Sequence, residues 1–206
     1  MTRKQIHVMT IGLLLANVMS GLDATIINTA LPAIIADLHG ISCMGLIVSV
    51  FLLGMSVSTL LWSKFGERMG NKKAFELAVV LFIVGSALEG LSPDILFFVC
   101  ARLLMGIGAG GLGSIPYIIF GNVYENLHTR SIILGFVSAV YGAASITGPL
   151  VGGLIVDSFS WHWIFYINVP IGLLIIAIIH FSYKEKIESV DKKVDWLGSF
   201  LLVSGL

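Results

Sequence analysis

Asp23 and Arg102 are ionisable residues set inside stretches that are otherwise apolar enough to be buried in lipid. A charge near the centre of a bilayer costs at least about 2.5–3.5 kcal/mol, so such residues are candidates for a pathway or coupling site. A carboxylate and a guanidinium permit two chemistries: a structural ion pair, or an acid that exchanges a proton beside a fixed cation. Residue type alone leaves both open. Glu89, in GSALEGLSPD, is a third candidate. It lies about one turn from the outer end of its segment, where it is either a solvated end charge that water can reach or a further cation- or proton-binding carboxylate. Shortly after Arg102 comes Gly106-Ile-Gly108-Ala-Gly110-Gly111, which satisfies G-x-G-x-x-G. That pattern holds a dinucleotide only where it follows a strand and opens a helix within a βαβ unit. Here it continues an apolar run, so the glycines read as a smooth helix surface, with Gly106 and Gly110 on one face and Gly108 and Gly111 crowding nearby positions.

The elements that must place these residues follow from composition. The chain is 57% hydrophobic and only 12% charged, against roughly 25% charged residues in soluble domains, and its mean hydropathy is +0.98. A bilayer core takes about 20 apolar residues to cross as a helix. Segments 6–35, 44–62, 74–91, 95–120, 131–156 and 163–181 meet that length, and a seventh opens at Trp196. Runs this long and continuously apolar are helices, because a helix satisfies its backbone groups within the segment in lipid. The expected fold class is an all-α membrane protein. The N-terminal run is too long for a signal peptide, contains Asp23 and lacks a small-x-small cleavage site, so it is read as the first span.

Orientation follows from the basic residues. Eleven of the twelve lie before the first span, between the second and third, between the fourth and fifth, or after the sixth. The alternate loops around 37–43, 92–94 and 157–162 contain none, which puts the N-terminus on the cytoplasmic side. Arg102 is the exception. At about 1.5 Å per residue, Arg102 lies about 10 Å and Asp23 about 14 Å below the outer boundary, so the two can share a level. Asn17, Thr25 and Asn28 are polar residues on the first span and are expected to face the bundle interior or a wet pathway. Gly148-Pro149 in the fifth span predicts a kink, and Gly148 with Gly152 forms a small-xxx-small face for close helix approach. That face serves either plain packing or a dry seal against proton leakage. Asp157 and Glu76 read as solvated helix ends, and His162, between two tryptophans, as part of an interfacial belt. Cys43 and Cys100 indicate neither a disulfide framework nor a zinc site. The balanced charge gives no sign of a nucleic-acid partner, and no H-E-x-x-H, G-x-S-x-G or metal-ligand cluster points to an enzyme.

Five motifs in order give a family resemblance. GLDATIINTALPAI (21–34) resembles the first-helix signature of drug/proton antiporters of the major facilitator superfamily, in the branch with fourteen spans. SKFGERMGNKK (63–73) resembles the superfamily's G-x-x-x-D-R-x-G-R-R loop, with Arg68, Gly70 and Lys72 matching and Ser63, Glu67 and Asn71 departing from it. RLLMGIGAG (102–110) resembles the fourth-helix R-x-x-Q-G-x-G-A motif, with Met105 in place of glutamine. GFVSAVYGAASITGPLVGG (135–153), ending Gly148-Pro149-x-x-Gly152-Gly153, resembles the fifth-helix antiporter motif, with Ala144 for a glycine. WHWIFYINVPIGL (161–173) resembles W-R-W-I-F-x-I-N-V-P-I-G of the fourteen-span branch.

The resemblance implies nested three-helix inverted repeats forming the N-terminal six-helix half (1–183), a charged cytoplasmic linker (184–195) and the start of a seventh span (196–206). It implies proton-coupled efflux of amphipathic compounds from a multi-pass cell-membrane protein, with protons and a small molecule as ligands. Asp23, Arg102 and Glu89 would couple the proton. Asn17, Thr25, Asn28 and Met105 would border the substrate path, and Glu67, Arg68, Gly70 and Lys72 would form a gating loop. The proton-motive force replaces any cofactor, no metal is expected, and a second half absent from this chain is needed, so the chain is expected to be a fragment. The alternatives are export of an endogenous metabolite, lipid or peptide, or a truncated non-transporting subunit.

Overall fold

The computed structural model describes residues 1–185. The linker beyond Glu185 and the seventh span opening at Trp196 lie outside the described residues. The chain runs as α1 (Arg3–Asp37), α2 (Met44–Met69), α3 (Asn71–Gly90), α4 (Ile95–Val123), α5 (Leu127–Ser158), a short α6 (His162–Tyr166) and α7 (Asn168–Ser182). Several helices outrun the apolar segments because polar residues cap them. Thr2 and Gln5 form a reciprocal capping box at α1. The Asp94 carboxylate accepts from the Phe97 N–H at the start of α4. The Asn126 side chain accepts from His128 and Thr129, starting α5 four residues before the expected segment. α5 continues through Pro149 without losing its helical run, although a kink is expected there. The sixth expected span is divided into α6 and α7 at Ile167.

Six spans are expected. Five described segments, with α6 and α7 counted together, are long and apolar enough to cross a membrane. α3 is the exception on composition. Lys72, Lys73 and Glu76 occupy its first two turns and Glu89 its last, and Glu89 is sheltered by protein rather than reached by water.

Packing follows an exchange symmetry. α1 lies along α5 as α4 lies along α2, and α7 meets α1 as α3 meets α4. The pattern is unchanged when the first three spans and the last three are swapped, as inverted three-helix repeats require. Two apolar clusters form the interior. One joins Met9–Met19 of α1 to Phe75, Phe82, Met105, Ile115 and Ile175. The other joins Ile26–Ile35 to Ile47, Phe98, Trp161 and Phe165. Asp23 falls between Met19 and Ile26, and Arg102 between Phe98 and Met105, so both charged residues sit at the seam between the clusters.

Candidate functional site

Glycine decides how closely the helices approach around that seam. A Cβ at Gly106 would meet the Phe51 carbonyl oxygen of α2 at 2.5 Å, and one at Gly110 the Met55 carbonyl oxygen at 2.7 Å. Gly108 and Gly111 face the other way, against Phe82 and Ala78 of α3. The glycine-rich stretch thus lets one helix touch two neighbours, backbone to backbone, and holds no phosphate cradle. Gly85 of α3 does the same opposite Met105, whose backbone nitrogen lies 2.6 Å from a Cβ placed there. That contact draws α3 close enough for Glu89, one turn on, to reach Arg102.

Arg102, Asp23 and Glu89 are 1%, 2% and 0% exposed. Arg102 Nη1 donates to Glu89 Oε2 at 2.9 Å and lies 3.7 Å from Asp23 Oδ2. It also reaches Met105 Sδ at 3.4 Å. The guanidinium carbon sits 4.6 Å from the centre of the Phe51 ring and 6.0 Å from that of Phe165, so aromatic faces replace water around the cation. On the far side of Asp23, the Asn168 amide donates to Asp23 Oδ1 at 3.4 Å and to the Ser86 hydroxyl at 3.0 Å. Ser86 in turn donates to the Phe165 carbonyl at 2.9 Å. Asp23 Oδ2, Glu89 Oε1 and Arg102 Nε are buried with no hydrogen-bond partner. Two carboxylates therefore face one cation in a dry place, with polar valences left over. Fully ionised, the group carries one net negative charge, which burial strongly disfavours.

The structure thus brings Asp23, Arg102, Glu89 and Met105 together. Of the two readings open for Glu89, a solvated end charge and a charge-binding carboxylate, the structure has it buried as the nearest partner of Arg102. Met105, expected on the substrate path, is buried against the guanidinium. Asp23 is the more distant acid.

The remaining expected residues are placed as follows. Asn17 is buried and returns its amide to the Leu13 carbonyl at 2.9 Å. Thr25 bonds back to the Gly21 and Leu22 carbonyls, both at 3.2 Å, and its hydroxyl abuts Gly148. Asn28 is exposed. The three differ in cover: Asn17 is buried, Thr25 is half-buried against α5, and Asn28 is exposed. In the loop, Glu67 and Arg68 are exposed, and Gly70 supplies a φ of 92° between α2 and α3. Lys72 Nζ donates to the His180 carbonyl at 2.5 Å. Glu185 accepts from the Asn71 and Lys72 backbone N–H groups at 2.7 and 3.1 Å. Glu185, the second residue of the linker, is thus docked on the start of α3, and Lys184 before it is exposed.

Of the three glycines that end the fifth-helix motif, two are needed for close packing. A Cβ at Gly148 would strike the Thr25 hydroxyl and come within 3.1 Å of the Leu22 carbonyl, and one at Gly152 would meet Ile26 at 2.7 Å. Gly153 has only Thr29 Cγ2 at 3.8 Å. Gly148→Ala is therefore expected to destabilise by about 1–3 kcal/mol and Gly153→Ala by less than about 0.5 kcal/mol, read by thermal unfolding in detergent. Ser86 and Asn168 join the site without being among the residues the sequence singles out. A polar residue in an otherwise apolar span was the available signal at both.

A multi-pass α-helical half-bundle with a buried acid–base cluster at mid-depth is a transporter architecture. The chain matches the model of the Major Facilitator Superfamily over residues 13–200 and belongs to that family. It is 36% identical over 193 residues to multidrug resistance protein 3 of Bacillus subtilis, covering 94% of this chain and 38% of that protein. It is 37% identical over 200 residues to efflux pump dotC of Dothistroma septosporum, covering 95% of this chain and 34% of that one. The chain thus spans little more than a third of these relatives. Its fold is similar to a D-xylose–proton symporter, with a TM-score of 0.74 at 19% identity over 97% of this chain and 52% of that one, the N-terminal half of a major-facilitator fold.

Proposed function

We propose that this chain supplies the first six-helix half of an exporter that expels amphipathic compounds across the cell membrane in exchange for protons. The N-terminus faces the cytoplasm, and a second half completes the transport path. The observation that carries the reading is the buried cluster of Asp23 and Glu89 around Arg102, whose charge balances when one proton is bound. Such a site is neutral with the proton and charged without it, which ties proton movement to the state of the surrounding helices. Similarity to multidrug resistance protein 3 and to efflux pump dotC favours export as the direction. Exposed apolar side chains on α2 and α5, including Leu52, Leu53, Phe136, Ile146 and Leu150, offer surface for lipid and for a second half. The site needs no cofactor, since the proton gradient supplies the driving force.

The test is transport of a cationic dye by the full-length polypeptide in everted vesicles. Asp23→Asn is expected to reduce pH-gradient-driven accumulation to the level of vesicles lacking the protein, while dye binding persists. Accumulation equal to wild type in that variant refutes the coupling role.

A further inference from the structure

The three ionisable groups of the site are held unequally. Glu89 has the short contact to Arg102, at 2.9 Å. Asp23 has a distant guanidinium at 3.7 Å, an oxygen, Oδ2, with no hydrogen-bond partner, and one amide donor at 3.4 Å on Oδ1. That donor is Asn168, itself only 5% exposed. The direction of its amide is fixed by its neighbours. Ser86 commits its proton to the Phe165 carbonyl, so its hydroxyl oxygen can only accept, and the group facing it must be the Asn168 NH2. The same NH2 faces Asp23.

Asn168 therefore presents Asp23 with a donor alone. A donor stabilises the carboxylate and gives nothing to an added proton on Oδ1, while Oδ2, 3.7 Å from Arg102 Nη1, has no hydrogen bond. Asn168 is also the first residue of α7, and Ile167 before it keeps helical backbone angles. α6 is pinned to α3 by the Ser86–Phe165 bond and by the Tyr166 hydroxyl donating to the Gly90 carbonyl at 2.6 Å. The amide thus links the charge on α1 to a helical turn anchored on α3. The ionisable side chains facing Asp23 are Glu89 from α3 and Arg102 from α4. From α5 the nearest titratable group is Tyr141, beside Gly21, and from α7 the neutral Asn168.

We infer that Asn168 is a positioning residue for proton exchange: its amide holds Asp23 apart from Arg102, leaving Glu89 as the standing counter-ion and Asp23 as the exchanging acid. This rests on the proton-coupled reading given above.

The test uses the full-length polypeptide reconstituted in vesicles with ethidium as the probe. It compares accumulation driven by a pH gradient with downhill flux in the absence of a gradient. Asn168→Leu and the smaller Asn168→Ser are expected to lower gradient-driven accumulation about tenfold, the effect of losing a hydrogen bond to a charged group. Downhill flux is expected to stay within about twofold of wild type. Asn168→Gln, which keeps the donor, is expected to restore part of the coupling. Adding Asn168→Leu to Asp23→Asn is expected to change nothing further, since the amide acts through that acid. The inference is overturned if Asn168→Leu keeps full coupling while Asp23→Asn abolishes it. It is also overturned if the double variant has less downhill flux than Asp23→Asn, or if both Asn168 variants lose downhill and driven flux equally, as a packing role predicts. Full coupling in Asp23→Asn instead sinks the underlying proton-coupled reading.

Discussion

Arg102→Leu is expected to lower the stability of the full-length polypeptide by about 3–5 kcal/mol and to abolish gradient-driven transport. Removing one member of a buried ion cluster leaves its partners charged without compensation, a change of that size in other proteins. Glu89 would lose its 2.9 Å donor and Asp23 the one cation near it. The shorter leucine also leaves the space of the guanidinium beside Phe51 and Phe165 unfilled, so the loss includes a packing part. Thermal unfolding in detergent measures the first effect, and vesicle transport the second. A double change, Arg102→Leu with Glu89→Leu, removes the nearer carboxylate along with the cation and is expected to recover part of the stability without recovering transport. If Arg102→Leu alone unfolds at the wild-type temperature, the cluster is not held as described.

Gly106→Ala is expected to cost at least about 1–3 kcal/mol and to sharply reduce the folded yield. The added methyl would meet the Phe51 carbonyl oxygen at 2.5 Å and the Phe51 Cα and carbonyl carbon at 3.2 Å. These are backbone atoms, so no rotamer change relieves the contact and α2 must move off α4. Phe51 also covers Arg102, so the displacement would reach the charged cluster. Gly113→Ala is the control on the same helix. Nothing lies within 4 Å of a Cβ there, and alanine is expected to be neutral or slightly stabilising through its higher helix propensity. Equal unfolding temperatures for the two variants would contradict the close α2–α4 contact.

The spans and the two central charges are legible in the sequence because membrane burial makes both conspicuous. Twenty apolar residues in a row permit little besides a helix, and an arginine among them stands out. Helix rise alone puts Asp23 and Arg102 on one level, which agrees with their 3.7 Å separation. The partner of Arg102 is not legible in the same way. Its identity depends on how closely α3 approaches α4, which is set by Gly85 against the Met105 backbone, and no local pattern links residue 85 to residue 105. Reading Glu89 as a solvated end charge fails for that reason: position along one helix says nothing about cover from its neighbours. The different cover of Asn17, Thr25 and Asn28 is not legible either: Asn17 and Thr25 bond back to carbonyls of their own helix, and Asn28 is exposed. Asn168 and Ser86 carry too little polarity singly to be picked out, and only the assembled chain of hydrogen bonds gives them a role.

The two apolar clusters meeting at Asp23 act as electrical insulators in series. Electrostatic work on an ion grows with the thickness of low-dielectric material around it, and a titrating group placed between two blocks divides that thickness. In the exporter proposed above, a proton bound at Asp23 would be separated from each aqueous face by one block, the first including Phe82 and Ile115 and the second Phe98 and Trp161. Wetting either block would connect the acid to one compartment while the other still held off the membrane voltage. The voltage drop across the bundle would then fall on whichever cluster stays dry.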